Sequence, residues 1–104
     1  MIQIDKSQNG GEVEVALGQQ IELRLGENPT TGYRWHLRSK IEPVLAVHED
    51  TFASSGTGVG AGGIRCWRFQ AAQEGTARVE LENRRSWEKR MIDEFAVNIR
   101  VKAN

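Results

Sequence analysis

Apolar and polar residues alternate with a period of two along most of this chain. Val13, Val15 and Leu17, for example, are separated by Glu14 and Ala16. Such alternation is typical of β-strands that bury one face and expose the other to water. The pattern, with polar or glycine-rich breaks between the alternating stretches, predicts seven or eight strands, at positions 2–4, 13–17, 21–25, 33–38, 44–52, 64–71, 77–82 and 95–102.

The order of these elements indicates the class of fold. Short strands joined by turns, with no convincing crossover helix, favour an immunoglobulin-like antiparallel β-sandwich of two sheets. Trp35 follows a long loop, as an immunoglobulin-type core tryptophan does. Cys66 is the only cysteine, so the paired cysteines of antibody domains are missing and no intrachain disulfide can form. With 104 residues, the chain has the size of one domain, 1–104.

One segment before the last predicted strand fits two interpretations. Trp87, Met91, Ile92 and Phe95 are spaced i, i+4, i+5 and i+8, which suits one face of a helix as well as a loop. Alternation is plain only from Phe95 onward. We therefore interpret the segment as a loop that leads into the last strand.

The charge of the chain argues against two classes of partner. Lys and Arg together number 14, as do Asp and Glu, so the net charge is zero at pH 7. A neutral chain exerts no long-range attraction on nucleic acid or on an anionic membrane. The one local basic cluster, within 84–90, is followed closely by acidic residues and is interpreted as a solvated loop. We expect a monomer that binds neither nucleic acid nor membranes.

The sequence leaves the cellular compartment open. No apolar run reaches the roughly 18 residues that a membrane-spanning helix needs. The N-terminal residues 1–6 lack the apolar stretch of a signal peptide. We expect a periplasmic or secreted protein if a signal peptide has been removed, and a cytoplasmic protein otherwise.

A glycine-rich segment, 58–63, matches the spacing GxGxxG of dinucleotide-binding sites. That motif requires a helix directly after the glycines, because the helix N-terminus holds the pyrophosphate. Here the glycines lead into 64–69, whose composition is typical of a strand. The context argues against a dinucleotide site, and we expect no cofactor.

Cys66, His36 and His48 are residue types that a thiol-based catalytic site would use. A catalytic thiolate needs an electropositive pocket and a base within hydrogen-bond reach. Cys66 lies in the middle of a predicted strand, between Arg65 and Arg68, with no loop to present it. Two histidines and one cysteine also lack the spacing of zinc ligands. We therefore predict neither an enzyme nor a metal site.

The segment 26–33 is a better candidate for binding. Pro29 fixes one φ angle and Gly32 allows a positive one, so a rigid tip is expected between them. Thr30 and Thr31 would lie at that tip. A stiff loop loses little conformational entropy on binding, which suits recognition. A polar turn without a function is the ordinary alternative.

Trp87 is the second candidate, because it lies in the charged stretch 84–89. A tryptophan in such a loop either folds back onto the core or contacts a partner. Tryptophan and arginine dominate interface hot spots, and both residue types are present in this stretch.

Three motifs in the chain resemble those of the chagasin-type inhibitors of papain-like cysteine proteases. The family patterns are Asn-Pro-Thr-Thr-Gly-aromatic, Gly-x-Gly-Gly and Arg-Pro-Trp, and their order and spacing agree along nearly the whole chain. They correspond here to Asn28-Pro29-Thr30-Thr31-Gly32-Tyr33, to Gly60-Ala61-Gly62-Gly63 and to Arg85-Ser86-Trp87. The third motif departs from the family pattern, because serine replaces proline at its centre.

The resemblance implies a wedge of three neighbouring loops, 28–33, 53–63 and 83–90, at one end of the sandwich. The threonine tip would enter the cleft of the protease, with Thr31 nearest the catalytic thiol. The other two loops would hold the flanks of the cleft, and Trp87 would pack on aromatic residues of the protease. The resemblance further implies reversible, tight-binding, competitive inhibition in which the inhibitor is not consumed.

Two details of the motifs bear on this wedge. Gly62 and Gly63 carry no side chain, so the backbone there can approach a partner closely. Ser86 replaces a residue with a fixed φ angle, so the shape of the third loop is open.

A second function is compatible with the same fold. The chain could be an immunoglobulin-like adhesion or carbohydrate-binding module without inhibitory activity. Such a module typically uses an exposed aromatic platform on a strand face or a calcium site, and neither is clear in the sequence.

Overall fold

The computed structural model describes residues 1–54 and 62–103. These residues form eight strands and two short 3₁₀ turns, the turns at Lys6–Gln8 and Pro29–Thr31. The strands are β1 (Ile2–Ile4), β2 (Glu12–Ala16), β3 (Gln20–Glu27), β4 (Tyr33–Leu37), β5 (Leu45–Ser54), β6 (Gly63–Ala71), β7 (Gly75–Arg85) and β8 (Met91–Lys102). No helix in the described residues is long and apolar enough to span a membrane.

The eight strands form two four-stranded sheets. One sheet has the strand order β1-β3-β6-β5, and the other has the order β2-β8-β7-β4. The pairings β3–β6, β5–β6, β4–β7 and β7–β8 are antiparallel. The strands β1 and β2 join their sheets by parallel pairing with β3 and β8. The predicted immunoglobulin-like β-sandwich is confirmed.

The core lies between the two sheets and is built from the apolar residues of the alternating pattern. Ile21 and Leu23 of β3 are almost fully buried, as are Val79 and Leu81 of β7. Trp35 of β4 is 6% exposed, as predicted for a core tryptophan. Burying each large apolar side chain of this kind stabilises the fold by about 1.5–3 kcal/mol.

The last strand begins earlier than the alternation predicts. β8 starts at Met91, so the interpretation as a loop is wrong for residues 91–94, whereas 86–90 do form a loop. The pairing of β8 with β7 shifts by one residue between Asn83 and Arg84, which leaves Ile92 without a partner in the register. Such a β-bulge interrupts the period of two, so the strand is not visible in the sequence until Phe95.

The predicted loops also include several residues that belong to strands in the structure. β7 continues to Arg85 and β5 to Ser54, while Tyr33 and Gly63 already belong to β4 and β6. Tyr33 pairs with Arg85 across the sheet. Strand pairing depends on backbone hydrogen bonds, which polar residues at a sheet end make as well as apolar ones, whereas the prediction depended on apolar side chains.

Candidate functional site

Three connections between strands lie at the same end of the sandwich. We call them the first loop (28–32), the second loop (55–62) and the third loop (86–90). The first and second loops adjoin because Glu27 at the end of β3 pairs with Gly63 at the start of β6. The first and third loops adjoin because Tyr33 pairs with Arg85.

The second loop is described only at Gly62. The predicted contact residues Gly60 and Ala61 lie outside the described residues. Gly62 lies beside the root of the first loop, since a Cβ atom built on it would lie 3.4 Å from the Glu27 carbonyl oxygen.

Asn28 organises the tip of the first loop. Its side-chain Oδ1 accepts a hydrogen bond from Thr30 Oγ1 at 2.6 Å, and its carbonyl oxygen accepts one from Thr31 Oγ1 at 2.9 Å. The turn that follows is 3₁₀, and Gly32 then has a φ of +83°, as the sequence predicts. Both threonines are exposed. The tip is therefore held by its own hydrogen bonds, which limit its conformations before any partner binds.

The third loop begins with a β-turn. The Glu88 N–H donates a hydrogen bond to the Arg85 carbonyl oxygen at 3.1 Å, so Ser86 and Trp87 are the two central residues of the turn. Trp87 is 71% exposed and does not fold back onto the core. Its ring instead lies against the first loop, since a Cβ atom built on Gly32 would be 2.7 Å from Trp87 Cη2.

Arg85 joins the first and third loops. Its Nε donates a hydrogen bond to the Thr31 carbonyl oxygen at 3.0 Å, and its Nη1 forms an ion pair with Glu88 at 3.1 Å. The guanidinium carbon also lies 4.4 Å from the centre of the Tyr33 ring. A cation–π contact at such a partly exposed site contributes about 0.5–1 kcal/mol. The contact of Arg85 with a protease stays a prediction, and within the chain Arg85 holds the first and third loops together.

A buried ion pair fixes the roots of the first and second loops. Arg65 Nη2 lies 2.7 Å from Glu27 Oε1, and Arg65 Nε lies 3.2 Å from Oε2. The Glu27 side chain has no exposure to solvent, and Arg65 is 15% exposed. Glu27 Oε2 also accepts a hydrogen bond from the Trp35 backbone N–H at 2.8 Å. Hydrogen bonding to Glu27 raises the pKa of the Arg65 guanidinium, so this group remains charged.

The sequence analysis did not identify Glu27 and Arg65 as a pair, although the alternation contains a signal for both. Glu27 continues the inward-facing positions of β3, two residues after Leu25. Arg65 precedes Trp67 by two residues and so continues the inward-facing positions of β6. Charged residues at inward-facing positions indicate a buried partner, because an unpaired buried charge is costly.

An open cleft of about 460 Å³ lies between the two sheets at the loop end. The first loop lines it with Asn28 and Thr31, and the second loop lines it with Gly62. Asn83 and Ile92 line it from the other sheet. The first loop and Gly62 therefore border an open cleft.

Gly63 has a role within the fold. A Cβ atom built on it would lie 2.6 Å from Phe52 Cζ and closer still to the Ala53 carbonyl oxygen. The absence of a side chain at this position thus allows β5 to approach β6. The sequence analysis explained Gly63 by close approach of a partner, and the structure supplies a reason inside the chain.

Cys66 lies on β6 and is half-buried. Burial raises the pKa of its thiol above the usual value, with the Glu22 carboxylate contributing in the same direction. A raised pKa disfavours the thiolate, which is the nucleophilic form. The Cys66 thiol is therefore not activated for catalysis. The surface of the site consists of loops and aromatic rings.

Comparison with known proteins identifies relatives over almost the whole chain. Residues 14–99 match the sequence model of the family described as Chagasin family peptidase inhibitor I42. Chagasin from Trypanosoma cruzi is 30% identical over 106 residues, which cover 97% of this chain and 96% of chagasin.

Solved structures with a similar fold include two relatives. The crystal structure of the cysteine protease inhibitor EhICP2 from Entamoeba histolytica has a TM-score of 0.84 at 18% identity, and the alignment covers 97% of this chain and 94% of that one. The solution structure of amebosin has a TM-score of 0.73 at 26% identity, with 97% of each chain covered. At 18% identity, the likeness to EhICP2 shows a common fold.

Removing the buried carboxylate should destabilise the sandwich strongly. We expect Glu27→Ala to lower the free energy of unfolding by about 3–5 kcal/mol, because Arg65 is left with an uncompensated charge. Glu49→Ala is the matched control, since Glu49 pairs with Arg68 at 3.5 Å and its side chain is 46% exposed. Glu49→Ala should lower the free energy of unfolding by less than about 1 kcal/mol. Urea denaturation measures both values, and similar losses for the two variants would contradict the structural role of the buried pair.

Adjacent glycines should respond differently to an added methyl group. Gly63→Ala must displace Phe52 or the β5 backbone, so we expect a loss of about 1–3 kcal/mol and a lower melting temperature. Among the described residues, Gly62→Ala meets an ordinary van der Waals contact with the Glu27 carbonyl oxygen, and it should leave the melting temperature nearly unchanged. Equal melting temperatures for the two variants would show that β5 can shift away from Gly63 at little cost in free energy.

Proposed function

The chain belongs to the chagasin family of peptidase inhibitors, and we propose that it inhibits papain-like cysteine proteases by filling their active-site cleft with its three loops. It acts as an inhibitor and not as an enzyme. The observation that carries the proposal is the junction of the first and third loops. There Arg85 and the contact between Trp87 and Gly32 hold two separate family motifs together as one exposed surface.

Inhibition without cleavage follows from the shape of the first loop. Hydrolysis requires the nucleophile to align with a peptide carbonyl carbon in a near-attack geometry. The peptide groups of Thr30 and Thr31 belong to a 3₁₀ turn that Asn28 closes with hydrogen bonds. A turn of this kind resists the alignment, so the loop occupies the cleft without being consumed. In the bound state Thr31 lies nearest the catalytic thiol of the protease.

The flanks of the wedge provide most of the binding energy in this proposal. Trp87 packs on aromatic residues beside the protease cleft, because it is the largest exposed side chain next to the threonine tip. The second loop contacts the opposite flank through the backbone of 60–62. Since the tip and the third loop are already ordered by contacts within the chain, little conformational entropy is lost on binding.

Titration against papain tests the proposal directly. We expect reversible, competitive inhibition, with the inhibitor intact after prolonged incubation. Cys66→Ser is the control, because the thiol has no role in the mechanism, and it should inhibit like the wild type. Rapid cleavage between residues 28 and 33 with recovery of papain activity would contradict the proposed mechanism, and an absence of inhibition would contradict the function.

Truncation of the exposed tryptophan tests the largest contact. Removing a buried aromatic anchor from an interface costs about 2–4 kcal/mol, which corresponds to about 30- to 1000-fold in affinity. We expect Trp87→Ala to weaken inhibition by that factor, with nearly unchanged thermal stability because the side chain is exposed in the free protein. A large drop in melting temperature together with unchanged inhibition would assign Trp87 to the fold.

The structure also suggests how to restore the family pattern in the third loop. Ser86 occupies position i+1 of its β-turn, where proline is favoured, and its N–H has no hydrogen bond within the described residues. Arg85 before it is in an extended strand, as a residue preceding proline prefers. We expect Ser86→Pro to raise folding stability by about 0.4–1 kcal/mol.

The restricted φ angle of the proline should also tighten binding to the protease. Ser86→Pro removes conformations from the free loop, so we expect inhibition about two- to fivefold tighter, mainly through slower dissociation. Association and dissociation rates against papain, measured for both forms, test this expectation. Weaker inhibition by the proline variant would mean that the third loop binds in a geometry of its own.

A further inference from the structure

The β-bulge in β8 changes the direction of one apolar side chain. Phe95 and Val97 face the core, so uninterrupted alternation would place Ile92 on the outer face of the sheet. The pairing instead passes from Asn83 opposite Asp93 to Arg84 opposite Met91, and Ile92 is the extra residue. Ile92 accordingly lines the cleft between the two sheets. Bulges redirect side chains in this way beside functional sites.

Ile92 lies just after the third loop, close in sequence to two other exposed apolar residues. It is 56% exposed, and its neighbours Met91 and Trp87 are 39% and 71% exposed. The other large apolar side chains that the described part of the chain exposes, Met1 and Val47, lie elsewhere in the sequence. A single exposed isoleucine is ordinary, but several exposed apolar residues close to a proposed binding surface indicate a contact area.

The residues that line the cleft beside Ile92 favour an apolar occupant over a charged one. The Tyr33 ring and the backbone of Gly62 form other parts of its lining. The one carboxylate in that lining, Glu27, is already paired with Arg65. A charged group entering the cleft would lose water without gaining a free partner of opposite charge.

Asn83 contributes a buried polar residue to the lining of the cleft. Asn83 is more than nine-tenths buried, and its Oδ1 makes no hydrogen bond within the described residues. Because this oxygen is buried, it offers no exposed acceptor to a group that enters the cleft.

We propose that Ile92 and this cleft form a fourth contact site for the target protease, which accepts one apolar side chain from the rim of the protease active site. The inference rests on the proposed function, because the occupant is identified by the continuity of the cleft with the first loop. Thr31 lies at the tip and lines the cleft together with Ile92, so a protease seated on the tip reaches the mouth of the cleft. Ile92 is then a specificity-determining residue, since proteases differ in the side chains of that rim.

Truncation and charge substitution at one position test this site. We expect Ile92→Ala to weaken inhibition of papain by about tenfold, because burial of the larger aliphatic side chain is lost. Ile92→Asp should weaken it further, because a carboxylate has no partner in the cleft. Both variants should keep a melting temperature near that of the wild type, since the side chain is exposed in the free protein. The change should lie mainly in the dissociation rate.

Val47→Asp is the matched control. Val47 is also an exposed β-branched residue on a strand, at 44% exposure, but it pairs with Phe69, six residues along β6 from Gly63. It therefore lies about 20 Å from the loop end. The control should inhibit like the wild type.

The outcomes separate this inference from the proposed function. If the wild type does not inhibit papain, the proposed function itself fails. If the wild type inhibits and both Ile92 variants inhibit within about twofold of it, the fourth contact site is wrong while the three-loop mechanism stands. Equal losses for Ile92→Asp and Val47→Asp would indicate an effect of charge alone and would also overturn the inference.

Discussion

The Glu27 carboxylate joins three strands at the place where the first loop leaves the sandwich. It accepts hydrogen bonds from Arg65 on β6 and from the Trp35 backbone on β4, in a position with no exposure to solvent. A buried carboxylate without such partners would cost several kcal/mol. The ends of these strands must therefore stay in register around it. The roots of the first and second loops are fixed by the same requirement.

Weaker contacts extend this order from the roots of the loops to their tips. Arg85 contacts the Thr31 carbonyl oxygen and the Tyr33 ring near the surface, where each contact contributes little free energy. Their effect is on geometry, because they keep the Trp87 ring beside Gly32 and exposed. A strong buried pair thus sets the position of the loops, and several weak contacts set the shape of the surface. Such a surface is ordered before a partner arrives, and less entropy is lost when one binds.

The residues of the three motifs fall into two groups. Some make contacts within the chain, and others are largely exposed. Gly63 and Arg85 make contacts within the chain, and the Thr31 hydroxyl donates its hydrogen bond to Asn28. Trp87 lies beside Gly32 but leaves most of its side chain exposed. Substituting a residue that makes contacts within the chain changes the shape of the three-loop wedge. Substituting Trp87 changes the contacts that the wedge makes with a partner. Inhibition measured together with stability distinguishes the two groups.

The sequence by itself determined the strands of the sandwich, the rigid first loop and the family, because alternation, turn residues and short motifs are local properties. It also placed Glu27 and Arg65 at inward-facing positions, but only the register of β3 with β6 brings them together. The bulge at Ile92 was decided by the tertiary structure, because it exists only in the pairing of β8 with β7. Backbone hydrogen bonds between distant strands need no particular side chains, so such pairings leave little trace in the sequence.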